Sequence, residues 1–546
     1  MSPSPETYDV TILGGGLAGL TLARQLIGKD PEIRILILEK RPHPVDEAAF
    51  KVGESTIEVG AHYLAEEVGL KKHLVDDQLP KFGLRFFFNN GQESIAHGIE
   101  VGLGEFFPAP GYQVDRGRLE NHLAQSLAGR TSVQDQNGTR GGATFVTAQV
   151  KQVDLATDDQ SHTVHYVQDG SQRRAHSRWV VDASGRAAIL KRQLDLREDI
   201  EHEINAAWFR IGTDIRVDEW CEDHDWRSRA GKVARRWLST NHLLGRGYWV
   251  WIIPLASGAT SIGIVADPRL HPLSNFNQFD LALTWLDEHE PFCAAAIEPH
   301  REKVQDFCAI KKIGHGCREV FSSRRWAITG EAGVFLDPLY SPGIDYIAIA
   351  NTMICSLIEE DRAGTAIDLI AARYQGIFLN LFHDNLQTYQ DQYPLFGNAR
   401  VMSLKYVWDY ALYWSFPALF YFNGKMTDPL FFSTVTEEIE TLRELNRKVQ
   451  QFFRDWNAVD SEQEVASVFV NQNEIEILKQ LNAELRDRLD DDVLEMRFRR
   501  NVGMLRDLAA EIAARVTRLH PNVSWQEEGV PAAKHRLDGV FEALNL

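Results

Sequence analysis

Apolar and polar positions along the chain change their period several times, and each change predicts an element. "YDVTILGGGLAGLTLARQL" (residues 8–26) reads as an apolar strand, a glycine turn and then apolar residues at helical spacing. "IRILILEK" (33–40) is a second apolar strand, and "RWVVDASGR" (178–186) a third that ends in a small-residue turn at Asp182–Gly185. "RRWAITGEAGVFLDPLYSPGIDYIAIANT" (324–352) predicts a strand, turns at Gly330-Glu331-Ala332 and Asp337-Pro338, and a helix. In "GYWVWIIPL" (247–255) a strand would put Trp249, Trp251 and Ile253 on one face and Tyr248, Val250 and Ile252 on the other. From about residue 356 strands become scarce and the helical period dominates. Ile439, Leu442, Leu445, Val449, Phe452 and Trp456 form one helical stripe, with Thr434-x-x-Glu437 as a capping box before it. Residues 474–519 predict a further amphipathic pair. Such stripes are core-forming by default.

Composition adds bounds. The 546 residues are 44% hydrophobic and 25% charged, enough for two or three domains with large cores. A net charge of −19 without a basic block argues against a nucleic-acid partner. Five cysteines without a Cys-x-x-Cys pair suit a reducing compartment and predict neither a metal site nor a disulfide framework. The N-terminus lacks a signal pattern, and the longest apolar candidate for a span, "YWSFPALFYF" (413–422), is short and holds Pro417. These features predict a cytoplasmic protein with no membrane span.

The glycine turn carries the first chemistry. Gly14, Gly16 and Gly19 give G-x-G-x-x-G between a strand and a helix, where glycines permit a tight turn and close approach of a pyrophosphate. The phosphates would sit at the helix start, at Leu17 and Ala18, where amides and dipole favour negative charge. Glu39 ends the second strand at the spacing of a ribose-binding acid, and Lys40 follows it. A dinucleotide cofactor follows from this arrangement.

With the Asp182–Gly185 turn and Gly330-Glu331, the chain resembles FAD-dependent hydroxylases and their relatives, in which three such segments converge on one FAD. Glu331 stands where that family usually has Asp. Tyr112-x-Val114-x-Arg116 resembles the family's segment near the flavin ring; otherwise Arg116 would be a surface salt bridge.

Further motifs narrow the resemblance to the flavin-dependent halogenases, over roughly residues 8–352. Trp249-x-Trp251-x-Ile253-Pro254 matches their W-x-W-x-I-P, and Phe335-x-x-Pro338-x-x-Ser341-x-Gly343 a second motif. "KVGEST" (51–56), with Gly53, Glu54 and Ser55, precedes Lys81 by about the family's interval between loop and catalytic lysine. The resemblance implies that reduced FAD, oxygen and halide (chloride, bromide or iodide) give hypohalous acid. It also implies that Lys81, with Ser341, directs the halogen onto an electron-rich aromatic of phenol, indole or pyrrole type. Desolvation among Leu79, Phe82, Leu84 and Phe86 favours the neutral amine that a haloamine requires. On its own, Lys81 would read as a snorkelling lysine at a strand start, and Lys51 is the nearest competitor.

Tryptophan halogenases have P-L-E-S-T-G where this chain has Pro338-Leu339-Tyr340-Ser341-Pro342-Gly343. Tyr340 cannot act as a carboxylate base, which points away from tryptophan and toward phenols. Pro342 has no N–H, so the amides of Gly343 and Ile344 would hold the halide. Asp337 joins the cofactor set. Trp249 and Trp251 read as packing that walls the substrate off from the flavin.

The expected fold is α/β: a Rossmann-like FAD core (about 1–90, 110–190 and 320–355) with an inserted mixed sheet on the substrate side (about 80–110 and 200–320). A helical region would follow over 356–546. Its aromatic-rich stretch 382–432 would roof a substrate pocket or bury a homodimer interface. A separate flavin reductase and a small aromatic substrate, free or carrier-protein-tethered, are the expected partners. An FAD monooxygenase or geranylgeranyl-reductase-like enzyme of the same fold is the alternative.

Overall fold

Val10, Thr11, Ile12 and Leu13 are all buried, as are Ile35, Leu36 and Ile37, so both faces of these strands are covered, the pattern of a parallel sheet packed on two sides. They belong to the first of two units into which the chain divides, residues 1–78, 114–200 and 314–382. The computed structural model describes residues 7–48, 51–88, 94–128, 141–157, 160–229, 235–460, 467–525 and 537–546. In the first unit an eight-stranded sheet runs Phe321–Ser322, Trp326–Ile328, Ser171–Asp182, Thr7–Leu13, Arg34–Glu39, Gly142–Thr147, with two further strands on Ser171–Asp182. Thr7–Leu13 is parallel to both neighbours, and Leu13 lies opposite Leu38 on one side and Asp182 on the other. Three strands therefore end side by side, placing Gly14, Glu39 and Ala183 at one edge.

The second unit holds residues 79–113, 201–313 and 383–546. Its eight-stranded mixed sheet runs Val304–Ile310, Asn205–Ile211, Thr260–Ala266, Tyr248–Pro254, Thr240–Gly245, Leu84–Phe88, Ile99–Gly102, Val468–Asn471. Alternation along Tyr248–Pro254 gives this sheet two different faces. Tyr248, Val250 and Ile252 join a hydrophobic cluster with Trp285 and Leu286 of helix Phe279–His289. On the opposite side the Trp249 indole N–H donates to the Tyr393 hydroxyl (3.0 Å), and Phe86 meets Tyr406 edge-on at 4.6 Å.

Those contacts revise the expected organisation of the C-terminal third. From residue 383 it belongs to the same unit as the mixed sheet rather than standing as a region of its own, and Val468–Asn471 extends that sheet beside Ile99–Gly102. Tyr389, Tyr393, Phe396, Tyr406, Trp408 and Trp414 are all buried within it, so these rings are core and not an open face for a second copy. The striped helix runs Thr436–Val459, but without its capping box. Thr434 closes the preceding helix Pro429–Thr434, and its hydroxyl donates back to the Phe431 carbonyl at 2.9 Å. Among the described residues no helix is long and apolar enough to cross a membrane.

Trp251 lies directly opposite Gly263 on the next strand, where a Cβ would fall 2.2 Å from its ring. The indole occupies the space a side chain would need. Gly263→Ala should therefore lower stability by about 1–3 kcal/mol, read as a fall in urea midpoint, because the core must shift to admit one carbon.

Candidate functional site

The first unit builds its site at the strand ends. Gly14 has φ +115°, and a Cβ there would lie 2.4 Å from the Ala183 carbonyl oxygen. At Gly19 a Cβ would lie 2.1 Å from the Gly14 carbonyl oxygen, so turn and helix meet backbone to backbone. Helix Leu17–Lys29 starts from Gly16 with no side-chain cap and no acid in its first turn. A Cβ on Gly16 would meet no protein atom within 4 Å. The Glu39 carboxylate accepts from the Gly15 N–H (2.7 Å) and the Arg41 N–H (3.0 Å), which fixes it beside the turn. Uncapped amides and a fixed carboxylate fit the pyrophosphate and ribose of a dinucleotide. Lys40 is exposed.

The separated motifs converge here. Thr329 N–H donates to the Asp182 carbonyl (2.9 Å), and Gly330, at φ +61°, comes close enough that a Cβ would lie 3.0 Å from the Ala18 methyl. Glu331 pairs with Arg186 at 2.6 Å. The Asp182 side chain is fully buried and occupied with the amides of Ser184 (3.0 Å) and Leu190 (2.7 Å); burial raises its pKa. It braces the turn. Asn351, which the sequence did not single out, ties this assembly together: its amide donates to Ala18 O (3.0 Å) and Tyr63 (2.9 Å), and it accepts from Thr329 (2.7 Å).

The 51–56 loop is clamped rather than loose. Gly53 has φ +87°, Glu54 and Ser55 are buried, and Val114 N–H donates to the Glu54 carbonyl at 2.7 Å. Arg116 donates to Val52 O (2.7 Å) and to Glu120 (2.8 Å), and Lys51 pairs with the same fully buried Glu120 carboxylate. Arg116 is therefore an internal brace of this loop, not a surface ion pair. Glu120, four residues along the same helix, was open to discovery from that spacing.

Among the described residues, two consecutive non-glycine residues at positive φ occur in the 335–344 segment. Tyr340 (φ +68°) and Ser341 (φ +62°) are consecutive left-handed residues with side chains, at a cost of about 1–3 kcal/mol each. The turn is fixed by Leu339 N–H to Asp337 (2.9 Å) and Ser341 N–H to Pro338 O (3.0 Å). It delivers the chain to helix Gly343–Arg362, whose N-cap position is Pro342 with no side-chain cap, and nothing lies within 4 Å of a Cβ built on Gly343. Buried Lys191, also missed, donates to Gly333 O (2.6 Å) and His315 (2.9 Å); burial pushes its pKa down to about 8.

In the second unit, Lys81 ends strand Leu79–Lys81 opposite Gly111 and is only 4% exposed. Phe82, Leu84 and Phe86 are buried after it, as the sequence suggested. Trp249 and Trp251 lie 5.7 Å apart between ring centroids, tilted 45°, and both are buried. Trp249 also meets His242 at 5.3 Å, and His242 stacks on Phe86 at 4.7 Å. Among the described residues, no cluster of His, Cys, Asp or Glu could hold a metal ion.

The chain is similar in sequence and fold to known proteins. Residues 7–261 match the FAD binding domain family. The chain is 26% identical over 453 residues to the flavin-dependent halogenase chlA of Dictyostelium discoideum, covering 79% of this chain and 74% of that protein. It is 27% identical over 413 residues to the tetracycline 7-halogenase of Kitasatospora aureofaciens, covering 68% and 67%. The fold also matches the crystal structure of halogenase PltM in complex with phloroglucinol and FAD, with a TM-score of 0.64 at 16% identity over 87% of this chain and 96% of that one.

Gly16 separates a cofactor role from a packing role. Since a Cβ there touches no protein atom, Gly16→Ala should leave the apoprotein melting temperature unchanged. It should nonetheless weaken FAD at least about 10-fold in a fluorescence titration, because the methyl enters the pyrophosphate's path. Unaltered affinity would contradict the assignment.

Proposed function

We propose that the chain is a flavin-dependent halogenase, like the relatives it resembles, and that it transfers halogen to an electron-rich aromatic ring, a phenol in the first instance, under the guidance of Lys81. Bound reduced FAD, supplied by a separate flavin reductase, provides with oxygen and halide the hypohalous acid that this chemistry needs. Gly14, Gly16, Leu17, Ala18 and Gly19 receive its pyrophosphate and Glu39 its ribose, with Lys40 alongside. Gly53, Glu54 and Ser55, held by Arg116, and the turns of Asp182, Gly330, Glu331 and Asp337 complete the cradle. The amides of Gly343 and Ile344 hold the halide, and Ser341 stands at the strained turn before them.

The observation that carries the reading is the burial of Lys81, only 4% exposed at the head of a run of buried aromatic side chains. Lys51, the other lysine near the 51–56 loop, pairs with the buried carboxylate of Glu120. Lys81 either hydrogen-bonds intact hypohalous acid, which the ring attacks with loss of water, or as a neutral amine forms a haloamine with release of water. In the second route the ring takes the halogen and its displaced proton restores the amine. Packed and hydrogen-bonded, Trp249 and Trp251 act as a rigid wall that keeps the substrate from the flavin, so that it is halogenated and not hydroxylated. Tyr340 offers no carboxylate, which suits a phenol that activates its own ring. The substrate arrives free or tethered to a carrier protein. A chain with five cysteines and no disulfide among them suits the cytoplasm.

Lys81→Ala tests this directly. It should keep FAD affinity and halide-dependent hypohalite formation, read as halogenation of an added β-diketone trap, while substrate halogenation falls at least about 100-fold. Retained halogenation would remove Lys81 from the mechanism. Halide-independent hydroxylation by the unaltered protein would favour a monooxygenase instead.

A further inference from the structure

A buried histidine beside Lys81 has a place in this reading that neither the sequence motifs nor the comparisons assign. We propose that His242 is a substrate-binding residue whose Nε2 accepts a hydrogen bond from the hydroxyl of a phenolic ring. The proposal rests on the halogenase reading above and narrows its substrate to aromatics that carry a free hydroxyl.

Register places this side chain. His242 lies opposite Trp251 on one neighbouring strand and Phe86 on the other. The imidazole is 0% exposed, stacked on Phe86 at 4.7 Å and 5.3 Å from the Trp249 ring. Its Nδ1 lies 3.3 Å from the Arg85 carbonyl oxygen. A carbonyl can only accept, so Nδ1 carries the proton and Nε2 presents a lone pair. That Nε2 atom is buried and has no hydrogen-bond partner among the described residues. Buried polar atoms are nearly always satisfied, so an acceptor left open here is available to a donor from outside the described residues.

The surroundings define the ligand. Burial first, and then the charge of nearby Lys81, hold the His242 pKa down to about 3. The ring therefore stays neutral at working pH and remains an acceptor, too weak a base to take a phenol's proton outright. Aromatic walls favour a flat ring, and the lone pair requires that ring to carry a donor. A phenol donating to Nε2 gains electron density at its ortho and para carbons. Such polarisation supplies, without a carboxylate at position 340, part of the activation that electrophilic halogenation demands.

The test compares phloroglucinol with its trimethyl ether, which keeps the ring and loses the donor. Binding is read by quenching of tryptophan fluorescence and turnover by halogenated product. The unaltered protein should bind phloroglucinol at least about 10-fold more tightly than the ether, His242→Phe should abolish that preference, and His242→Gln, which keeps an acceptor, should restore part of it. Melting temperature and FAD titration identify a variant that has failed to fold. Equal binding of phenol and ether by the unaltered protein would overturn the proposal without any variant. Halogenation with the preference intact in His242→Phe would overturn the role of His242 alone. A His242-dependent preference without any halogenated product would refute the halogenase reading instead.

Discussion

The first unit depends on one absence of space: between Gly14 and the end of strand Ser171–Asp182 there is no room for a single carbon atom. A Cβ at position 14 would lie 2.4 Å from the Ala183 carbonyl oxygen. That proximity fixes where the first strand turns and so where helix Leu17–Lys29 begins. The Asp182 side chain holds the neighbouring turn from below, Asn351 holds the helix start, and Gly330 closes against Ala18. The uncapped amides at Gly16 and Leu17 are the consequence. Backbone packed this tightly leaves the space beside Gly16 free of protein atoms, as a bound pyrophosphate would require.

In the second unit the corresponding constraint is the alternation of one strand. Tyr248, Val250 and Ile252 enter the hydrophobic cluster; Trp249 and Trp251 take the other face, with His242 and Phe86 beside Trp249. Slipping the register by one residue would exchange the two sets. Gly263 leaves room for one indole, and Tyr393 and Ser261 bond the two indole N–H groups, so neither ring turns freely. The aromatic helices after residue 383 supply the cover on this face through Tyr393 and Tyr406.

How much the sequence disclosed follows from range. The glycine turn and Glu39 lie within one short strand–helix–strand stretch, and their spacing alone carries the meaning. Lys81, the 51–56 loop and the paired tryptophans were singled out by motif order; Lys81, Trp249, Trp251 and residues Glu54, Ser55 and Thr56 of the loop are buried. The capping box at Thr434 failed because a short helix, Pro429–Thr434, claimed that residue first. Strand Val468–Asn471 escaped notice because four residues make too little pattern. His242, Lys191 and Asn351 were illegible for a deeper reason. Each is a single polar residue in an ordinary context, and its role arises from partners brought in by register or from far along the chain.

The central claim is that this flavin-binding chain spends its oxidant on halide and not on the ring itself. Mass spectra of phloroglucinol treated with the protein, FAD, a flavin reductase and oxygen, with and without bromide, address it most directly. The account predicts a product carrying bromine's isotope doublet when bromide is present and no oxygenated product when it is absent. Incorporation of oxygen into the ring, indifferent to bromide, would contradict it.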